Sequence, residues 1–307
     1  MYGCAKSPPP RPYNPRVLFD YPSQRLQDYL SQRWVMFRGR RIEPRDFDWL
    51  MGPYGEVDVI GDSYVQRIAN EESLIIERHA CGAGLMDSIA SFALDDAARL
   101  RLRPEVATFY ERTADHDLDV WSEWSPFFRP FGGMLQRLYS RRLQQLNVPL
   151  RPLDTSRGIA SQILKLRDPI TGATRYTVWY RVLKATGQVI YSGVYGTCRI
   201  PDGRTCVKVV FPLPRGNATV IMAISVGEHG DLDLVSSGDG FGSPGFYFLL
   251  RDKRDRHFSQ YIRSFRERIH VYVDDEDVLR TDHTLTLWKR RVLQLHYRMT
   301  PRSSAAR

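Results

Sequence analysis

No apolar run in this chain approaches the roughly 20 residues that a membrane-spanning helix needs. The opening stretch, MYGCAKSPPPRPYNPR, lacks the apolar centre of a secretory leader, so a cytoplasmic protein is expected. Cysteine is scarce: Cys4, Cys81, Cys198 and Cys206 form no C-x-x-C pair and no zinc spacing. Cys198 and Cys206 are spaced to face each other across a hairpin, where a disulfide or two half-buried thiols could stand; a cytosolic setting favours the thiols. Lysine is scarce too, with six against 38 arginines. The net charge of +9 therefore comes from arginine spread along the chain, with no block of five like charges, and this weakens the case for a dedicated nucleic-acid surface. The seven histidines show neither H-E-x-x-H nor any other local metal spacing, and G-x-S-x-G is absent, so no metal or cofactor is expected.

What is present is a core-forming composition, 42% hydrophobic and 12% aromatic, too apolar for a disordered chain. Residues 1–16, with five prolines, read as a tail, as does 300–307. Residues 17–150 read as mainly helical. PSQRLQDYLSQRWVMF repeats Leu26, Tyr29, Leu30 and Trp34 at helical spacing. YVQRIA and LIIERHA, around NEES, suggest a short hairpin. LMDSIASFALDDAARL and RPEVATFYERTADHDLDVWSEWSPFF are expected helices, the second with Thr113, Asp117 and Trp121 on one stripe. GGMLQRLYSRRLQQLN follows as an amphipathic helix with Leu135, Leu138, Leu143 and Leu146 on one side.

Across 155–299 the period changes to two. Short β-rich runs recur at intervals of about a dozen residues, separated by Gly, Pro, Asn and Asp, the pattern of an antiparallel sandwich or barrel. FSQYIRSFRERIHVYV reads as a helix before a last hairpin, DHTLTLW and VLQLHYRM. The expected fold is α+β: a barrel-like or strongly curled antiparallel sheet of about seven to nine strands, an N-terminal helical layer, and that late helix.

GFGSPG, residues 240–245, matches G-x-G-x-x-G, but it stands between DLDLVSS and FYFLLRD, both strand-like. A dinucleotide loop needs a helix after it, so a wide turn between strands is expected. HACGAGLMD, residues 79–87, puts Asp87 where a third glycine would stand, and its carboxylate would repel phosphate.

The candidate ligand residues are Tyr176, Tyr180, Tyr191 and Tyr195 in two neighbouring strands, with His283 on the last hairpin. Pure packing would use Leu, Ile and Val there, because buried hydroxyls need partners. Four tyrosines instead suggest a partly wet pocket. Asp117 and His283 are the candidates for acid–base chemistry. The favoured function is non-catalytic binding of a hydrophobic or aromatic small molecule, a lipid included, in a cavity of the sheet. The alternatives are an enzyme using that cavity, a cyclase or isomerase, and a peripheral membrane-associated protein touching lipid weakly through 127–147. No specific nucleic-acid partner is expected.

Overall fold

The computed structural model describes residues 26–55, 60, 63–78, 82–130, 159–184, 187 and 189–302. The N-terminal part contributes α1 (Leu26–Arg38), β1 (Arg40–Ile42), α2 (Ser63–Glu71), β2 (Ile75–Glu77), α3 (Asp96–Arg101), α4 (Pro104–Glu111) and β3 (His116–Trp124). Then come β4 (Ile159–Arg167), β5 (Thr174–Leu183), β6 (Val189–Arg199), β7 (Thr205–Leu213), β8 (Gly216–Val226), β9 (Leu232–Val235), β10 (Gly245–Arg251), β11 (His257–Tyr261), β12 (Phe265–Val273), β13 (Leu279–Leu287) and β14 (Arg290–Pro301).

These 14 strands make one antiparallel sheet, ordered β2-β4-β5-β6-β7-β8-β9-β12-β13-β14-β3, with β10, β11 and β1 branching from β8. The sheet is not closed; β2 and β3 are its two ends. It curls nonetheless, because Leu118 and Val120 on β3 share one core with Ile163 on β4 and Trp179 on β5. The expected barrel of seven to nine strands is thus corrected to a larger open sheet, within a fold that remains mostly β with few helices.

Three misread segments account for four of the extra strands, β2, β3, β11 and β12; the three-residue β1, paired with β11, is a further one. The helix expected at 258–273 is β11 and β12. In β12 the period is two: Ile269 and Val271 turn into the core while Arg266 and Arg268 are exposed. Phe258, Tyr261, Phe265 and Ile269 fall at helical spacing by coincidence. The single helix expected from 104 onward stops at Glu111. From His116 the chain is β3, with Leu118, Val120 and Ser122 buried and Asp117, Asp119 and Trp121 exposed. The expected YVQRIA–LIIERHA hairpin is helix α2 followed by β2. Tyr64, Val65, Ile68 and Ala69 bury one helical face against Leu164, Val178 and Val194, while β2 pairs with β4. The helix expected over 85–100 is also broken: a short 3-10 turn, Ile89–Phe92, ends at Ala93 with φ +50°, and Asp95 caps α3 through Ala98 N–H.

The final hairpin is present, but its turn is at Trp288 and Lys289, both at positive φ, and not at KRR, since Arg290 and Arg291 already pair in β14. The setting of GFGSPG between β9 and β10 stands as read. Its loop is tied by Tyr247 Oη donating to Ser243 O (2.5 Å) and Gly238 N–H donating to Pro244 O (2.7 Å). A side chain at Gly245 would strike the Tyr261 ring, which is the reason for glycine there. The expected 131–147 helix lies outside the described residues, as do residues 1–16 and the end of the 300–307 tail; Thr300 and Pro301 belong to β14.

Candidate functional site

Side chains alternate across β5 and β6, and the register places Thr177 opposite Tyr195, Tyr180 opposite Ser192 and Arg181 opposite Tyr191. Tyr176 and Tyr180 therefore belong to the outer face, packed with α2. Tyr191 and Tyr195 belong to the inner face, with Trp179 edge-on to both rings at 5.8 and 5.5 Å. The four tyrosines expected in one pocket are split between the two sides of the sheet. The paired strands stand half a period apart, a relation that spacing within one strand does not carry.

On the outer face a groove of about 1200 Å³ lies between the sheet and the segment 44–55 with α2. Its apolar walls include Met51, Tyr54, Tyr176, Val194 and Val210. A set of side-chain hydrogen bonds ties the 51–54 segment to the sheet and to α2. Lys208 Nζ donates to Met51 O (3.0 Å), Asn217 Nδ2 to Gly52 O and Pro53 O (3.2 Å each), and an Arg67 nitrogen to Tyr54 O. Four successive carbonyls are thereby satisfied by donors on β7, β8 and α2. Gly52 is required where the segment touches β7, since a Cβ there would come within 2.7 Å of Val210.

The groove's charge is lopsided. Arg45, Arg67, Arg175, Lys208, Arg215 and Arg251 line it against Asp48, Glu71 and Glu72. Arg67 is paired with Glu71 (3.0 Å) and Arg175 with Glu72 (3.7 Å). Lys208 is half-buried on β7, and burial holds its ammonium below the ordinary lysine range. Its bond to Met51 O is to a carbonyl, which carries no full charge. Tyr176 donates to Glu72 Oε1 (2.7 Å), and burial together with that carboxylate pushes its phenol up to about 12. Tyr54 is also pushed up to about 12, by burial, under the guanidinium of Arg251 at 5.5 Å. Chemically the groove offers apolar wall, hydrogen-bonding phenols and an excess of cations.

The inner face carries a second polar group. Arg181 is 1% exposed and lies over the rings of Trp179, Tyr191 and Tyr297 at 4.7 to 5.0 Å, donating to Tyr191 Oη (2.6 Å). Its Nε has no partner among the described residues. His283, expected on this face, bonds to Glu267 through Nε2. Of the five candidate ligand residues, Tyr191, Tyr195 and His283 share this inner side. Asp117 does not join them. It is exposed on β3 and pairs with Arg302 (3.1 Å), away from Thr113, whose hydroxyl donates to Phe109 O (2.6 Å).

Two smaller outer-face groupings carry less. A cavity of about 330 Å³ holds Trp121, Tyr272, Asp282 and His296, with His296 Nδ1 2.6 Å from Asp282 Oδ1. Asp231, Asp233 and His270 bring ligand-type atoms within 4.8 Å of one another. There, however, Arg268 binds both oxygens of Asp233 at 2.8 and 2.9 Å and neutralises the carboxylate a cation would need. At 82–87 the Gly82 N–H is taken by the chain's own Asp115 (2.9 Å), while Asp87 holds the buried Lys165 (2.8 Å). Cys198 and Cys206 are register partners and free thiols.

Lys208 and Arg181 were missed by sequence reasoning. The available signal was a lysine within CVKVVF and an arginine within VWYRVL, charges set in runs otherwise fit for two-sided burial.

No family model matches the chain, and no solved structure matches it. Over 162 residues, 52% of the chain, it is 28% identical to the "Uncharacterized membrane protein YndJ" of Bacillus subtilis (strain 168). The matched stretch is 29% of that protein, so the chain spans under a third of the relative's length.

Proposed function

We propose that the protein binds a hydrophobic or aromatic small molecule with an anionic end, without catalysis, in the outer groove. The observation that carries this reading is the half-buried Lys208 ammonium lining a groove of about 1200 Å³ with apolar and tyrosine walls. Ligand pockets combine this kind of apolar lining with a few polar groups that fix orientation. A carboxylate or sulfonate placed at Lys208 would gain a charge-assisted bond in a low-dielectric setting while its body covered Met51 and Val210. The likeness to a protein named as a membrane protein favours an amphiphile of lipid type. The two free thiols support a reducing, cytoplasmic setting.

The test uses anilinonaphthalene sulfonate, an aromatic anion, titrated by fluorescence into the native full-length protein. Lys208→Met is expected to weaken binding about tenfold, the loss of one charge-assisted bond, and Tyr176→Ala several-fold with stability lowered by about 1 kcal/mol or less. Unchanged affinity in Lys208→Met, with the fold intact by circular dichroism, would remove the groove as the site.

A second reading has one observation in its favour. The His283–Glu267 pair shares the inner face with Arg181, the grouping that acid–base chemistry would use. Mass spectra of small molecules retained by wild-type protein and by Glu267→Gln test it. Species identical in both mass and chromatographic retention count against turnover, and an isomer separated by retention, or a product lighter by an eliminated group, found only with the wild type favours it.

A further inference from the structure

Helix α1 is folded inside out. Its buried side carries Asp28 and Gln32 beside Val35, and Gln32 Nε2 donates to Pro214 O (3.2 Å). Its outer side carries Leu26, Leu30, Trp34 and Phe37, exposed by 58, 57, 44 and 86%. A surface helix of a globular protein normally does the reverse. At about 100° per residue, these four side chains fall within an arc of about 80°. Arg33 borders one edge of that arc and Arg38 the other. Both arginines are exposed, and Arg40 and Arg41 continue the basic surface past the helix end. Among the described side chains of α1, the exposed ones are the four apolar residues, Ser31, Arg33 and Arg38; the helix's acid, Asp28, is turned inward.

We propose that this stripe docks on an anionic lipid surface, with Leu30, Trp34 and Phe37 at the level of the headgroups and Arg33 and Arg38 reaching the phosphates on either side. An apolar stripe with Trp and Phe, edged by exposed arginines, one of which (Arg33) rests over the Tyr29 ring, has the composition of a helix lying in the membrane interface. The charge excess selects an anionic surface over a neutral one. The helix cannot roll its stripe inward, because Trp34 stands edge-on to Phe248 on β10 (6.3 Å) and Gln32 is held on the other side. A second copy of the chain fits less well. Two-fold packing of the stripe would set the bordering arginines of one helix near those of the other. The inference is independent of the groove and concerns α1, not the 127–147 segment.

Sedimentation of the full chain with vesicles tests it, using phosphatidylcholine alone and phosphatidylcholine with about 30% phosphatidylglycerol. At low salt the protein is expected to partition at least about tenfold more strongly to the anionic vesicles, with salt weakening the difference. Leu30→Ser with Phe37→Ser should abolish the binding at unchanged thermal stability, since both side chains are exposed. Arg33→Gln with Arg38→Gln should erase the preference for anionic lipid. Absence of binding, or binding unaltered in the serine variant, overturns the proposal. So does a concentration-dependent dimer that the serine variant dissolves without any lipid binding.

Discussion

Strands β5 to β8 carry different chemistry on their two faces. The inner face is filled: Trp179, Tyr191, Tyr195 and Phe211 lie edge to face, and even the charge of Arg181 is covered by rings. The outer face is divided. Under α2 it is packed with Leu164, Val178 and Val194, while beside the 51–54 segment it opens into the groove above Lys208. Tyrosine serves both faces with different results. Inside, its hydroxyls are spent on one another and on Arg181. Outside, Tyr176 donates to Glu72 just past α2, with Arg175 over its ring, and lines the groove wall. A tyrosine-rich strand therefore indicates partly polar burial, and the neighbouring elements decide whether that burial is core or site.

The largest expected effect would break this comparison if absent. Trp179→Ala removes a ring that contacts Phe109, Tyr191 and Tyr195 and donates from Nε1 to Ser161 Oγ (2.7 Å). Chemical denaturation should show a loss of about 3–5 kcal/mol. A loss under about 1 kcal/mol would mean that the inner face is the open one. A smaller effect is expected at the edge between the faces. Lys165 is 1% exposed and is held by Asp87, which is 59% exposed, and by Thr177 Oγ1 (3.0 Å). Burial works to raise the Asp87 carboxyl, but its bond to Lys165 prevails and holds it low. Asp87→Ala strands a buried ammonium and should cost about 2–3 kcal/mol, less than for a fully buried pair because water screens the carboxylate. Asp87→Ala with Lys165→Met should recover most of that loss; if it does not, the pair is not what stabilises this edge.

The smallest effect concerns pH. Burial pushes the Cys198 thiol up to about 12 and the Cys206 thiol up to about 11 from an ordinary 9.0. The folded protein keeps protons there that the unfolded chain releases. This contribution to stability is whole below the unfolded value and is lost as pH rises through 11 to 12. Iodoacetamide at pH 8 should therefore alkylate the native thiols far more slowly than the denatured ones, by about a hundredfold or more. Equal rates would show that the outer core around Cys206 is not closed.

The sequence carried the change of period after residue 155, the last hairpin and the strand–loop–strand setting of GFGSPG, because each is a local pattern of alternation and turn residues. It did not carry the ends of elements. Val106, Phe109 and Tyr110 continue into Thr113 and Trp121 at helical spacing, and only pairing of 116–124 with β14 makes that stretch a strand. Tyr64, Val65 and Ile68 are equally good strand formers until Leu164 and Val178 present them a surface on one side. The α1 stripe was legible as a helix, but which way it would face was not, since the apolar side is normally the buried one. The groove was illegible for a different reason: it is made by Met51, Lys208 and Tyr176, which lie far apart along the chain and meet only in three dimensions.

The pairing of β3 with β14 also sets an order of events. Asp117 reaches Arg302 across 185 residues of chain, and every rung between these strands spans a comparable loop. During synthesis β3 leaves the ribosome early and has its hydrogen-bonding edge unmet until almost the whole described chain has followed. Contacts of such long range are slow to form, because loop closure must precede any gain from pairing. In that interval Leu118 and Val120 have no finished core to enter, so the waiting strand is open to capture by a chaperone or by another nascent chain.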